Sequence, residues 1–288
     1  MKRLLLSIFL SAALCTLHAQ HYVGLTADMG VAWQLDNLNN TSAQAGGAFS
    51  LGAVYQWRHH NFLLQTGIGI SPAWLGQALD SCHMAAPMHD TEGMPYTYRG
   101  YLENRRDWIS AVDIAIPLLG GVQIQQFYAL AGVKVHVPVL GKTRQQASLT
   151  TVGDYGDRYY GVLHDMPQHG FYTDRAITSK GDITLNPDLR VCAEIGFTSK
   201  IPYWVSRDNV STLQVGAFAE YGVLNSISPA HRNNALTEVI YSPQMDVKMN
   251  HVYTHMEPQD LRVNNLRVGV RITFLFSIAK AGCNCSNY

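Results

Sequence analysis

Residues 266–276 read LRVGVRITFLF, and this stretch decides the fold. Leu266, Val268, Val270, Ile272, Phe274 and Phe276 are apolar and occupy every second position, with Arg267, Gly269, Arg271, Thr273 and Leu275 between them. Successive side chains of a strand point to opposite faces, so an alternation of period two predicts a strand. An ordinary strand runs about five or six residues, whereas one that crosses a bilayer takes about 9–11. A soluble sheet can hold one such strand. A membrane barrel must be built of them.

Seven further segments repeat the pattern. The first strand is expected at 22–35, with Val23, Leu25, Ala27, Met29, Val31 and Trp33 on one face, and the second at 47–58, with Phe49, Leu51, Ala53, Tyr55 and Trp57. The third is expected at 62–74, and the fourth at 108–122, where Ile114, Ile116 and Leu118 face away from Asp113. The fifth, 127–140, sets Val133, Val135, Val137 and Val139 opposite Lys134 and His136. The sixth, 188–200, sets Val191, Ile195 and Phe197 against Arg190 and Glu194; the seventh, 210–224, sets Val215, Ala217 and Tyr221 against Glu220. The connections alternate in length. Those after the odd strands are long (36–45, 75–106, 141–187, 225–262), and those after the even strands are short (59–61, 123–126, 201–209). In an antiparallel meander alternate connections fall on opposite ends, so all the long ones share one end. Residues 143–152 can carry the pairing on beyond the membrane. Open sheet edges are not tolerated in lipid. The expected fold class is therefore all-β: an eight-stranded antiparallel up-and-down transmembrane β-barrel.

Lys plus Arg and Asp plus Glu number 21 each, so the chain carries no net charge and offers no electrostatic case for a nucleic-acid partner. Lys2 and Arg3 precede an apolar run, 4–14, and Ala19 places a small residue before Gln20. This is the pattern of a secretory signal peptide cut after Ala19, its apolar run too short for a transmembrane helix. Cys15 follows Leu14, where lipidation wants a small residue, so no lipid anchor is expected. The expected organisation is a signal peptide at 1–19, an outer-membrane β-barrel at 20–278 and a short tail at 279–288. Four cysteines remain after cleavage: Cys82, Cys192, Cys283 and Cys285. An oxidising compartment permits disulfides. The Cys-x-Cys tail is read as inert or locally oxidised rather than metal-binding.

In every strand one face is nearly free of charge, and the other carries glycines and ions. A soluble sandwich would turn the ions to water. An eight-stranded barrel turns them into an interior just wide enough for side chains to fill. The inward set comprises the acids Asp28, Asp113, Glu194 and Glu220 and the bases Arg58, Lys134, Arg190, Arg267 and Arg271, an expected lumen charge network. Buried charges are costly unless paired. Strand one must adjoin strand eight on closure, which makes Asp28 the nearest expected partner of Arg267 and Arg271. Tyr22, Trp33, Tyr55, Trp57, Trp74, Trp108, Phe127, Tyr221, Phe274 and Phe276 fit two interfacial aromatic girdles.

On strand architecture and signal peptide together, the chain resembles the small outer-membrane β-barrel proteins of Gram-negative bacteria, the OmpA-barrel and OmpX-like group, over its whole mature length. The resemblance implies integral outer-membrane location after Sec-type export. It also implies contact with outer-membrane lipid and lipopolysaccharide, and assembly by the barrel-insertion machinery. Many such proteins end on an aromatic residue of the last strand. Here Phe276 closes the alternation, but 277–288 follows it. The expected function is that of a non-enzymatic barrel with a side-chain-filled lumen and long extracellular loops, in an envelope-structural or surface-binding role. The alternatives are a small channel or transporter, or a lipid-modifying enzyme of the lipid A deacylase or acyltransferase type. For the enzyme, His136, His164, His169, His231, His251 and His255 are available, but spacing assembles no Ser/His/acid group. His59-His60 and His251-x-x-x-His255 have ligand-like spacing in strand-like surroundings. No catalytic residue, metal site or cofactor is expected.

Overall fold

The computed structural model describes residues 20–38, 40–157, 160–200, 211–228, 236–240, 246–254 and 261–278. The segment 1–19 with Cys15, the turn 201–209, His231, His255, and the tail 279–288 with Cys283 and Cys285 lie outside the described residues.

The strands in chain order are β1 (Gln20–Asp36), β2 (Thr41–His59), β3 (Phe62–Leu79), β4 (Cys82–His89), β5 (Pro95–Ile124), β6 (Phe127–Asp154), β7 (Val162–Leu163), β8 (Arg175–Asp182), β9 (Asp188–Lys200), β10 (Thr212–Gly222), β11 (Thr237–Ile240), β12 (Asp246–Met249) and β13 (Val263–Ser277). Eight of them form the wall, each antiparallel to the next: β1–β2, β2–β3, β3–β5, β5–β6, β6–β9, β9–β10 and β10–β13. β13 then pairs back onto β1, from Tyr22↔Ser277 to Asp36↔Val263. The ring is closed. β4 stands on β3 and pairs with β5, and β8 stands on β9 and pairs with β6.

The alternation places side chains as the pleat requires. Val270 is 49 % exposed on the outer face, while its neighbour Arg271 is 3 % exposed inside. Met29 is 70 % exposed and Asp28 7 %. Val23, Leu25, Phe49, Leu51, Phe62, Ile68, Ile70, Leu118, Val135, Ile195 and Phe197 complete an outward apolar belt around the ring. A barrel in water would not leave such a belt uncovered. Among the described residues no helix is long and apolar enough to cross a membrane; the strands do that. Tyr22 corrects the girdle assignment. It shares the inward face with Val54 and Leu275 and is 2 % exposed, because Val23 and Leu25 fix its parity.

The two described short turns are tight hairpins, His60-Asn61 and Gln125-Gln126. Each begins with a left-handed residue, His60 at φ 54° and Gln125 at φ 55°. Primed turns of this kind match the twist of the flanking strands.

The connection 75–106 is not the loop expected from its polarity, while the pairing expected over 143–152 is present and runs on to Asp154. β5 runs 30 residues and β6 28, and both rise far past the apolar belt. Above the lipid the outer face meets water, so the apolar alternation that marks a membrane strand is absent there. Pairing continues because Tyr, Thr and Val still suit a pleated surface. Two bulges adjust the register, one between Glu103 and Arg106 with Asn104 at φ 52°, the other between Val112 and Asp113. Across the second, the inward residues of β6 change from Lys134 and His136 to Thr143 and Gln145. β4, β5, β6 and β8 thus make a tall half-wall above the ring. The β11–β12 hairpin and a short 3-10 turn, Val252–Thr254, fill its concave side through Val239, Val247, Met249 and Tyr253.

Candidate functional site

The lumen is filled in layers. At the short-turn end lie Gln56, Gln65, Gln214 and Thr198. Gln56 Nε2 donates to Gln65 Oε1 at 3.2 Å, and Gln214 Nε2 to Thr198 Oγ1 at 3.3 Å. Leu63, Leu119, Tyr128, Leu130 and Cys192 form an apolar cluster on the same inward face.

The central layer holds the ions. Arg271 donates from Nε (3.2 Å) and Nη2 (3.1 Å) to Asp28 Oδ2 and from Nη2 to Glu220 Oε1 at 3.2 Å. Its Nη1 reaches Glu194 Oε2, Arg267 Nη2 reaches Asp28 Oδ1, and Lys134 Nζ reaches Glu220 Oε1. Arg267 Nη1 also donates to Ser71 Oγ at 3.2 Å. The Phe218 ring lies at the centre of the cations, 4.8 Å from Arg271 Cζ, 5.2 Å from Arg267 Cζ and 5.5 Å from Lys134 Nζ. Tyr128 donates to Glu194 Oε1 at 2.7 Å. It lies across Gly196 and Gly216, where any Cβ would collide with its ring or hydroxyl.

One level higher, Asp113 accepts from Arg190 Nη2 at 3.4 Å and sits 3.3 Å from His136 Nδ1. Arg190 Nε donates to Asp188 Oδ2 at 2.9 Å. His136 and Asp188 were not in the expected set, although they share parity with Lys134 and Arg190. Parity marks a residue as inward but not as polar by need, and a lone His or a strand-end Asp carries no further signal. Arg58 corrects the set in the other direction. It lies at the short-turn rim, where its Nη2 donates to Gln56 Oε1 at 3.3 Å and its Cζ sits 4.8 Å over the Tyr22 ring. Asp28 stands opposite Ser50, eight residues before Arg58 on β2, so Arg58 lies roughly 26 Å further along that strand at ~3.3 Å per residue. Among the described residues it forms no ion pair. Cavities of about 40 Å³ beside Asp28, Lys134 and Arg271, and about 20 Å³ beside Asp113, His136 and Asp188, have room for one or a few waters.

The mouth is closed by the chain's own loops. Ile109, Ala111, Leu79 and Val263 of the wall pack against Ile183, Ile227, Val252, Tyr253 and Leu261. Over this plug, Arg105 and Asp107, both fully buried, form a bidentate pair at 2.9 Å and 2.9 Å. Asp107 Oδ2 also accepts from Val252 N at 2.9 Å, and Arg105 donates to the Asn250 carbonyl. Tyr253 OH donates to Asp36 Oδ2 at 2.8 Å and accepts from Gln77 Nε2 at 2.6 Å. Burial and the adjacent Asp36 carboxylate hold the Tyr253 phenol well above its ordinary pKa. Burial pulls the His251 imidazole down to about 4, opposed by Asp107. Sequence reading did not find this cap, because its members lie far apart in the chain. Cys82 and Cys192 are both free thiols.

A closed ring of eight antiparallel strands, apolar outside and ionic inside, is a transmembrane β-barrel. No protein-family model matches the chain, and no curated protein matches it. Among solved structures it is similar to Ail, the attachment invasion locus protein of Yersinia pestis, at 7 % identity over 89 % of this chain and 99 % of that one, with a TM-score of 0.26. It is similar to the same protein in complex with the heparin analogue sucrose octasulfate at 8 % identity over 89 % and 99 %, TM-score 0.25. It is also similar to Neisserial surface protein A, NspA, at 9 % identity over 87 % and 96 %, TM-score 0.26. At these values the class of the fold rests on the closed ladder and its apolar belt.

Proposed function

We propose that the chain is a non-enzymatic integral outer-membrane protein: a sealed barrel that anchors a tall, rigid sheet above the lipid for an envelope-structural or surface-binding role. In this reading 1–19 directs Sec-type export and is removed, 20–278 is inserted by the barrel-assembly machinery, and 279–288 is a tail. The observation that carries it is the filled lumen. Lys134, Glu194, Glu220, Arg267, Arg271 and Asp28 meet across the barrel axis, and the loop plug closes the mouth above them. An eight-stranded ring has little spare bore, and ions paired this way favour a fixed plug over a hydrated path. The half-wall of β4, β5, β6 and β8 supplies surface well clear of the membrane, where binding residues are commonly displayed.

Two measurements test this. Unheated protein folded into vesicles should migrate differently from heated protein in SDS gels, as a closed barrel resists SDS. In planar bilayers its conductance should equal that of a mock preparation. Identical gel migration would remove the barrel, and steady conductance well above background would replace the sealed anchor with a channel.

A further inference from the structure

Just above the apolar belt, the outer faces of β5, β6 and β8 carry Arg106, Lys142, Arg144 and Lys180, all exposed. The register sets them side by side. Trp108, Arg144 and Lys180 are consecutive cross-strand partners in one row. Ser110, Lys142 and Asp182 form the row below, and Arg106, Gln146 and Thr178 the row above. Residues directly opposite in such rows have Cβ atoms about 5 Å apart, and like charges there are destabilising. Asp182 is the one carboxylate in these rows, and none of the four cations forms an ion pair among the described residues. Two cations higher on the half-wall are paired, Arg99 with Asp154 at 2.7 Å and Arg175 with Asp246 at 3.3 Å. Over their whole lengths the outer faces of β1, β2, β10 and β13 carry no Lys, Arg, Asp or Glu.

We propose that this quartet is a binding site for the phosphate groups of an outer-leaflet lipid headgroup. An anion between Arg144 and Lys180 relieves the repulsion that their register imposes. The level of the site selects a lipid over a free ion. Trp108 and Trp74 mark the belt's upper edge directly beside it, and Val137, Val139 and Leu140 lie on the same wall below, where the acyl chains of that lipid would run. Arg supplies two donors to one phosphate and Lys a mobile point charge, a combination suited to phosphate esters. The site rests on the membrane-barrel reading above.

The test titrates folded, detergent-solubilised full-length protein with diphosphorylated lipid A, with the same lipid stripped of phosphate, and with inorganic phosphate. The wild type should bind the phosphorylated lipid far more tightly than either other probe. R144Q/K180Q should weaken that binding roughly thirtyfold, on the scale of cations at an anionic leaflet. R99Q/R175Q should bind as the wild type does, and raising salt should reduce the wild-type difference. Unchanged binding by R144Q/K180Q, equal binding of the stripped lipid, or inorganic phosphate competing as well as the lipid would each overturn the proposal. If R144Q/K180Q did not fold, R106Q/K142Q should show the same loss, and wild-type affinity there would overturn it. The gel shift of the wild type reports separately on the barrel, so a lost site and a wrong fold give different results.

Discussion

Replacing Arg271 by Met removes the ion that touches the most carboxylates. Arg271 is 3 % exposed and donates to Asp28, Glu194 and Glu220 together. Met roughly keeps its apolar stem and loses the guanidinium. Asp28 then keeps Arg267, Glu220 keeps Lys134, and Glu194 keeps only its bond from Tyr128. Breaking a buried pair by removing one partner costs on the order of 3–5 kcal/mol, because the remaining charge is stranded in a poor solvent. An exposed pair would cost only about 0–1 kcal/mol. The gap between these values makes the experiment decisive. The assay is urea unfolding of protein folded into vesicles, followed by tryptophan fluorescence. Arg271→Met should fall in the higher range, and Arg271→Met with Glu194→Gln should recover part of it, since one stranded charge is then gone. A loss below about 1 kcal/mol for the single variant would mean that water screens these ions. The sealed-lumen argument would then fail.

Three further outcomes follow from the wall and the cap. Val270→Arg places a charge on the lipid face near mid-belt and should cost about 2–4 kcal/mol of folding into vesicles. Gly269→Arg should block assembly by a different route, since any Cβ there collides with the Met29 carbonyl and the Gly30 backbone; unimpaired folding of Val270→Arg would reverse the facing. The third outcome concerns pH. His251 has its folded pKa lowered to about 4, against an ordinary value of about 6.5, so the folded cap prefers the neutral ring. Its stabilisation is fully present above pH ~6.5, declines as pH falls, and is lost below about 4, a change of about 3 kcal/mol. Amide protection factors of 246–254, taken relative to the intrinsic exchange rate at each pH, should therefore fall between neutral pH and pH ~4.5, and His251→Gln should flatten the change. Equal protection at both pH values in the wild type would place His251 outside the cap's energetics.

Alternation is a local property, and it is why the wall was readable. Val268, Val270 and Ile272 declare one face of β13 without reference to any other strand, and the same holds for Met29 beside Asp28. The count of long strands and the alternation of connection lengths then leave few topologies beyond a closed meander. Inward parity was equally local, so Arg267, Arg271, Glu194, Glu220 and Lys134 were legible as lumen residues.

Level along the barrel is not local. It depends on strand stagger, which closure and bulges fix together. Hence Arg58, inward by parity, stands at the rim with Gln56 and Tyr22, while Asp188 and His136 join Arg190 and Asp113. The upper half of β5 was hidden for a related reason, although 143–152 of β6 was legible as extended pairing. Outside lipid, the membrane no longer demands an apolar outer face, so pairing persists without the pattern that announces it. The cap was beyond sequence altogether, since Arg105, Asp107, Val252 and Tyr253 come from distant segments. The sequence by itself determined the period, the facing and the closed class of this barrel, because the pleat and the lipid act residue by residue. Tertiary structure alone decided which ions meet, how high the wall rises and what stops the mouth, because these depend on register between strands far apart in the chain.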